Sequence, residues 1–324
     1  MAFRRNPALN WLAAILAIGF AHISGLLPLS VSRAIGAWLG RIAYHIVPRL
    51  RRVGMANMDL AYGDALTRRE KTRILRESAA NMGIVAAEFI HIPRLHGKFL
   101  EEQIELRGAE HLDRDRGALF IGAHYGNWEW MAPAIVALGC QPALVVRPMD
   151  HPRFHTFVDG VRRSHGVDTI PREKAGVDII RRLREGWFVG MLVDQSPRVS
   201  AVPIEFFGQP CWGSVAPVMA AIRAGAAIHP ASMERQPSGG YRLEILPAVE
   251  LETDGPFVDC LVRNTQRCQK ALEDIIRRDP SQWLWFHRRW RHREALARKW
   301  SKRKRQKHYA EEPMPVVTDA SSKA

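Results

Sequence analysis

The hydrophobic pattern divides the chain into an uncharged amino-terminal stretch, a polar helical region and a long alternation of short apolar runs with amphipathic segments. From Asn6 to Ser32 no residue is charged if His22 is neutral, and Arg4, Arg5 and Arg33 bracket the stretch. Asn6 suits an N-cap and Pro7 a first helical position, so a helix is expected from there to about Leu27, where Pro28 stops it. About 20 helical residues at a 1.5 Å rise cover about 30 Å, the depth of a hydrocarbon core. Three uses compete: a single membrane span, an amphipathic anchor lying in the interface, and a cleaved signal peptide. Asn10, His22, Ser24 and two glycines dilute the apolar character, and Ala34-Ile-Gly-Ala37, beyond a proline and Arg33, is a poor cleavage site. A retained membrane-anchor helix within residues 1–32 is therefore expected, with Trp11 and Trp38 at interfacial positions; core packing is the competing use of Trp38.

Residues 41–62 are basic and then mixed and read as helix and loop. Thr67-Arg-Arg-Glu70 is a capping box. It opens a helix towards Ile90 whose apolar stripe includes Ile74, Ala79, Met82, Val85, Ala86 and Phe89, and Pro93 ends it. Then the period changes. Strands are expected over 118–123, 143–146, 167–170, 187–193, 202–206, 227–232 and 241–246, and helices over 127–138, 153–164, 174–184, 214–224 and 257–277. Continuously apolar strands alternating with helices imply an α/β fold, with a mostly parallel central sheet covered by helices on both faces. The expected organisation is an anchor over 1–32, a folded domain over 33–295, and a basic and then disordered tail over 296–324. No internal repeat is evident.

Charge sharpens this division. The net charge is +14, yet residues 288–307 carry eleven Lys/Arg and one acid, Glu294, which leaves only +4 for the rest. A concentrated cationic end suits an anionic membrane surface, an acidic protein or nucleic acid, or it is a solvated tail. Finger spacing and an aromatic RNA-binding signature are both missing, so a nucleic-acid partner is not expected. Cys140, Cys211, Cys260 and Cys268 form no C-x-x-C pair and no evident disulfide framework, which points away from zinc and towards a reducing cytosol. His151 and His155 lack a third ligand nearby and read as helix-surface residues, and no metal or cofactor is expected.

The chemistry gathers at Gly122-Ala-His-Tyr-Gly-Asn-Trp-Glu129, a glycine-punctuated turn after the first of the alternating strands. His124 and Glu129 read as a general base and a carboxylate that orients it. No nucleophile completes a triad beside them, so the attacking group must come from a substrate. Arg147, Arg172 and the pair Asp194-Gln195 follow three further strands. Ligands of open α/β sheets bind at that carboxyl edge. Either arginine suits a phosphate or an oxyanion, and Asp194 suits the site or a structural arginine pair. Ser196 and Ser214 have no G-x-S-x-G elbow, which disfavours a serine hydrolase.

These pieces resemble the lipid A late acyltransferases, the lauroyl and myristoyl transferases, within the broader lysophospholipid-acyltransferase-like enzymes. The likeness rests on Gly122 to Glu129, Arg147-Pro-Met-Asp150, Ile170-Pro-Arg172, Asp194-Gln-Ser196, Phe206-Phe-Gly208 and Gln282-Trp-Leu-Trp-Phe-His-Arg-Arg-Trp290, in that order, over roughly residues 10 to 295. Glu129 and Ala123 favour the lipid A branch over the glycerolipid enzymes. The resemblance implies an enzyme of the bacterial inner membrane with its site facing the cytoplasm. It would move a fatty acyl chain from acyl carrier protein or acyl-CoA to a hydroxyl of a membrane glycolipid, with His124 and Glu129 catalytic and Arg147, Arg172, Asp194 and Gln195 binding substrate. Another acceptor, such as a lysophospholipid, mannolipid or aminolipid, and a non-catalytic lipid binder on the same scaffold are the competing functions.

Overall fold

In the computed structural model the described residues are 7–149, 151–172, 175–291, 297, 298 and 300. Asp150, Lys174 and all but three residues of the expected tail 296–324 lie outside them, as does His292, which like His287 reads from the sequence as a packing or phosphate contact. Five helices come first: α1 (Pro7–Leu26), α2 (Leu29–Ile46), α3 (Pro48–Tyr62), α4 (Arg68–Glu88) and α5 (Gly97–Gln103). Pro28 separates α1 from α2, and Pro48 opens α3 after an extended Val47, so the segment read as helix and loop is two helices with a sharp break. The capping box at the head of α4 forms: the Thr67 amide donates to Glu70, and the Glu70 amide donates to the Thr67 hydroxyl.

No described helix is long and apolar enough to cross a membrane, which corrects the spanning use of the amino-terminal helix. The cause lies in its sequence and its packing. Polar residues and glycines interrupt α1, and one side of it is engaged by protein: α1 packs on α4 and on a later helix, where His22 meets Phe157 at 5.5 Å. Ala14, Ala21 and Ser24 are buried, while Trp11, Leu16, Ile23 and Leu26 are exposed. On α2, Trp38 is 60% exposed, so it belongs to the surface and not the core. Close contact of α2 with α4 depends on glycine. A Cβ on Gly36 would lie 2.4 Å from the Gly83 carbonyl oxygen, and one on Gly83 would lie 1.9 Å from that of Gly36.

The alternation follows as β1 (Ile104–Arg107), β2 (Ala118–Gly122), α6 (Trp128–Ala137), β3 (Pro142–Val146), α7 (Pro152–Arg163), β4 (Asp168–Pro171), α8 (Ala175–Arg184), β5 (Phe188–Leu192), β6 (Ala201–Phe206), β7 (Gln209–Ser214), α9 (Ala216–Ala224), β8 (Ala227–Arg235), β9 (Tyr241–Ile245) and α10 (Phe257–Arg278). Seven strands form one sheet in the order β1-β9-β8-β2-β5-β3-β4. Every pairing in it is parallel except β8 with β9. The sheet is therefore mostly parallel, as expected, with a reversed pair at one edge. β6 and β7 form a separate antiparallel hairpin. Helices cover both faces. Phe120 and Phe188 pack with Trp130 and Ile135 of α6 and Val161 of α7. Leu119, Ile121 and Val189 pack with Ile179 of α8, Val218 of α9 and Leu272 of α10. Alternate residues of β2 thus serve opposite cores, which is why the strand is apolar at every position.

Chain order places the site. From β2 the chain goes outward to β3 and β4, returns to β5 between β2 and β3, and later adds β8 on the other side of β2. The reversal opens a crevice at the carboxyl ends of β2 and β5.

Candidate active site

Register brings the site together. Gly122 of β2 stands opposite Leu192 of β5, so two residues beyond each strand His124 faces Asp194. The His124 amide donates to Asp194 Oδ2 at 2.9 Å, and His124 Nδ1 lies 2.8 Å from Asp194 Oδ1. An ionised carboxylate only accepts, so Nδ1 carries the hydrogen and Nε2 holds the basic lone pair. Gln195 reaches that nitrogen with its amide Nε2 at 3.5 Å.

Asp194 is fully buried. Its Oδ2 also accepts from the indole of Trp283 at 2.8 Å, and its backbone carbonyl lies 3.2 Å from His287 Nε2. Burial alone would raise its pKa, but His124 by charge and hydrogen bond, with His287, holds the carboxyl well below the usual range. Burial likewise pushes the His124 ring down. Asp194, by charge and hydrogen bond, and Glu129, by charge, outweigh it, and the ring titrates above the ordinary 6.5. His287 is held below that value by its burial, against the pull of Asp194.

The expected partner of His124 has another contact. Glu129 lies in the first turn of α6, where Arg162 of α7 grips it through Nε and Nη2 at 2.8–3.0 Å and the Trp128 indole donates to it at 3.1 Å. The orienting contact to the imidazole is therefore made by Asp194, across the sheet, and Glu129 acts on the ring through charge. The local reason is the helix start: after Gly126, at φ 58°, the chain turns into α6 and carries Glu129 towards α7. Gly126 is required there, because a Cβ would sit 1.7 Å from the Met233 carbonyl oxygen.

Trp283 and His287 reach the site on a carboxy-terminal segment that docks against the turn after β2. Leu284 donates its amide to the His124 carbonyl at 3.0 Å, and Gly126 donates to Gln282 at 3.1 Å. Trp283 and Trp285 are fully buried and Trp290 nearly so, which makes all three core residues. Arg289 is fully buried too, donating to the Trp212 carbonyl and to Gln269, whose own amide donates to the Val193 carbonyl next to Asp194.

His124, Glu129, Arg147, Arg172 and Gln195 line one cavity of about 1080 Å³, and Asp194 lies behind its wall. Its apolar lining includes Met131, Leu144, Ile179, Met191 and Met219. Arg49, Arg172, Arg198, Arg223 and Arg288 stand exposed around it, and among the described residues no carboxylate pairs with them. Ser196 lines the cavity but gives its hydroxyl to the Arg291 carbonyl at 3.2 Å, and all four cysteines are buried. Among the described residues no group of His, Cys, Asp and Glu is arranged to hold a metal ion. The sequence offers Trp283, Trp285 and Trp290 as interface anchors, acyl-channel lining or core, and His287 as a packing or phosphate contact; Arg162 and the contacts of Trp283 and His287 with Asp194 were overlooked. The run of tryptophans from 283 to 290 was the available signal, but the contact of Trp283 with Asp194 depends on the folded chain.

Fold and site together define an α/β enzyme with a histidine–carboxylate pair at a parallel-strand edge, opening on a large apolar cavity with a cationic border. The chain belongs to the bacterial lipid A biosynthesis acyltransferase family, which matches residues 4–292, and it is an acyltransferase that acts on lipid or glycolipid acceptors. It is 25% identical over 295 residues to the lipid A biosynthesis lauroyltransferase of Escherichia coli K12, covering 88% of this chain and 92% of that one. With the palmitoleoyltransferase of the same organism it shares 24% over 276 residues, covering 82% and 87%. With the phosphatidylinositol mannoside acyltransferase of Mycobacterium tuberculosis it shares 23% over 218 residues, covering 63% and 66%.

Proposed function

We propose that the protein transfers a fatty acyl chain from acyl carrier protein or acyl-CoA to a hydroxyl of a lipid A precursor or similar glycolipid, by direct attack. The observation that carries this reading is the His124 ring, with Nδ1 committed to Asp194 and Nε2 facing a cavity that is apolar within and cationic at its border. In the step, the acceptor oxygen attacks the thioester carbonyl while Nε2 takes its proton, and the C–O bond forms. The C–S bond then breaks, and the imidazolium returns the proton to the leaving thiolate. Base catalysis of this kind contributes about 10²–10⁴ in rate. Asp194 steadies the imidazolium, as the carboxylate of a hydrolase triad does. Glu129 adds negative charge while it fixes Arg162 beside the cavity. Arg147 and Arg172 serve the phosphates of donor or acceptor, or the oxyanion.

The membrane surface is the proposed location, on the cytoplasmic side. Exposed apolar residues run along α1 and α2, from Leu16 and Leu26 through Trp38 to Ile46 and Val47. Two residues further on, Arg49 lines the cavity. An interfacial α1–α2 face would thus bring an amphiphilic acceptor to the site, and the cationic border suits an acidic carrier protein and an anionic surface.

The test is to give the purified full-length protein acyl carrier protein or CoA loaded with labelled chains, together with a bacterial lipid extract, and to identify the product by mass spectrometry. A labelled ester on a glycolipid is expected, with His124→Ala inactive but folded. Wild-type turnover by His124→Ala would sink the mechanism.

A further inference from the structure

Glu88 ends α4 with a fully buried side chain, and the proposed chemistry does not use it. Four donors converge on its carboxylate. Arg33 of α2 and Arg235 of β8 meet Oε1, while Asn127 and the Tyr241 hydroxyl meet Oε2 at 2.7 and 2.6 Å. Only an acceptor at both oxygens satisfies them, so a carboxylate is required where an amide would present hydrogens to donors.

Two arms run from this node to the turn that carries His124. Asn127, itself fully buried, caps α6 by accepting from the Trp130 amide at 3.3 Å, and its own amide donates to the Met233 carbonyl at 2.9 Å. Arg235 also holds Asn81 Oδ1 at 3.2 Å, and the Asn81 amide donates to the carbonyls of Gly126 and Gln282 at 3.0 and 3.1 Å. One arm fixes the turn between His124 and Glu129, and the other fixes both the turn and the segment that brings Trp283 to Asp194. We propose that Glu88 is a positioning residue for acyl transfer, holding the turn from His124 to Glu129 in register through Asn127 and Asn81. The proposal rests on the reading of His124 as the base.

The experiment compares wild type, Glu88→Gln, Asn127→Ser and the double variant as full-length protein in detergent micelles. Each is assayed for kcat and for KM of donor and acceptor, and the His124 ring is titrated by NMR. Asn127→Ser keeps a residue able to cap α6 and leaves Glu88 with both arginines and Tyr241, so it is the milder change to the fold, and thermal melts of each variant show that it is folded before it is assayed. Asp194, Glu129, His287 and Gln195 are the polar groups around His124, and none is altered. A displacement of about 1 Å lowers kcat about 100-fold, with KM values little changed. The expected result is that loss in both single variants, with the ring titration moved down as the Asp194 contact loosens. The double variant should lose no more than the worse single one, because the two residues act in series. Wild-type kcat and ring titration in a folded Asn127→Ser would overturn the proposal, as would multiplicative losses in the double variant. The titration needs no substrate, so a wild type that transfers no acyl chain would sink the function proposed above and leave the test of Glu88 intact.

Discussion

With one nitrogen of His124 bound to Asp194 and the other facing the cavity, the proposed chemistry makes its protonation set the pH dependence. A general base must be neutral, so kcat/KM should rise with pH through the ring pKa, which lies above 6.5. In Asp194→Asn the charge that raises it is gone while burial, which lowers it, remains, so the acidic limb should move to lower pH. The loss of the orienting acceptor should also cut kcat by about 10²–10⁴. A pH–rate profile of the two proteins checks both, and an unmoved limb would count against the pairing. For Trp283→Phe, removal of a hydrogen bond to a buried carboxylate costs about 2 kcal/mol of stability, readable in denaturant melts. His124 and its place after a buried strand were legible in the sequence. Its partner was not, because Asp194 lies 70 residues away and reaches it only through the register of two strands that adjacency in the chain does not reveal. Glu129 looked like the partner because it is near in sequence, and the first turn of α6 carries it to Arg162. Glu88 was hidden inside a helix read for its apolar stripe.

Strands buried on both faces announced themselves, since a strand that serves two cores must be apolar throughout. β1 and β7 did not. In β1 only Ile104 is buried, and β7 contains Pro210 and Gly213, so neither shows a strand period. The α2–α4 contact was also invisible, because small residues leave no hydrophobic mark. It is nonetheless the tightest approach between helices described above. In Gly83→Ala the added methyl must displace the Gly36 carbonyl, a change expected to cost about 2 kcal/mol. An unchanged denaturation midpoint would show that α2 can move away freely. Gly126→Ala should be worse for function than for folding, because the displaced strand end carries Met233, which anchors the turn after His124.

Taken as one body, the protein has exposed apolar residues along α1 and α2 that end close to Arg49, on the cationic border of the cavity. Replacing Leu16 and Trp38 with Asp removes two exposed side chains worth about 2 kcal/mol each if inserted in a lipid interface. Sedimentation with anionic vesicles should therefore weaken at least tenfold while the melting curve stays put; unchanged sedimentation would move the lipid contact elsewhere. The arginines around the cavity also predict a donor KM that rises steeply with salt. The docking of residues 282–287 onto the turn after β2 has a consequence for synthesis. Until the ribosome has made nearly the whole matched region, Asp194 lacks its indole donor and the turn lacks the strand-like segment beside it. A chain that stops short of Trp283 therefore lacks the groups that finish the site, and action on lipid should wait until that segment has been made and has docked.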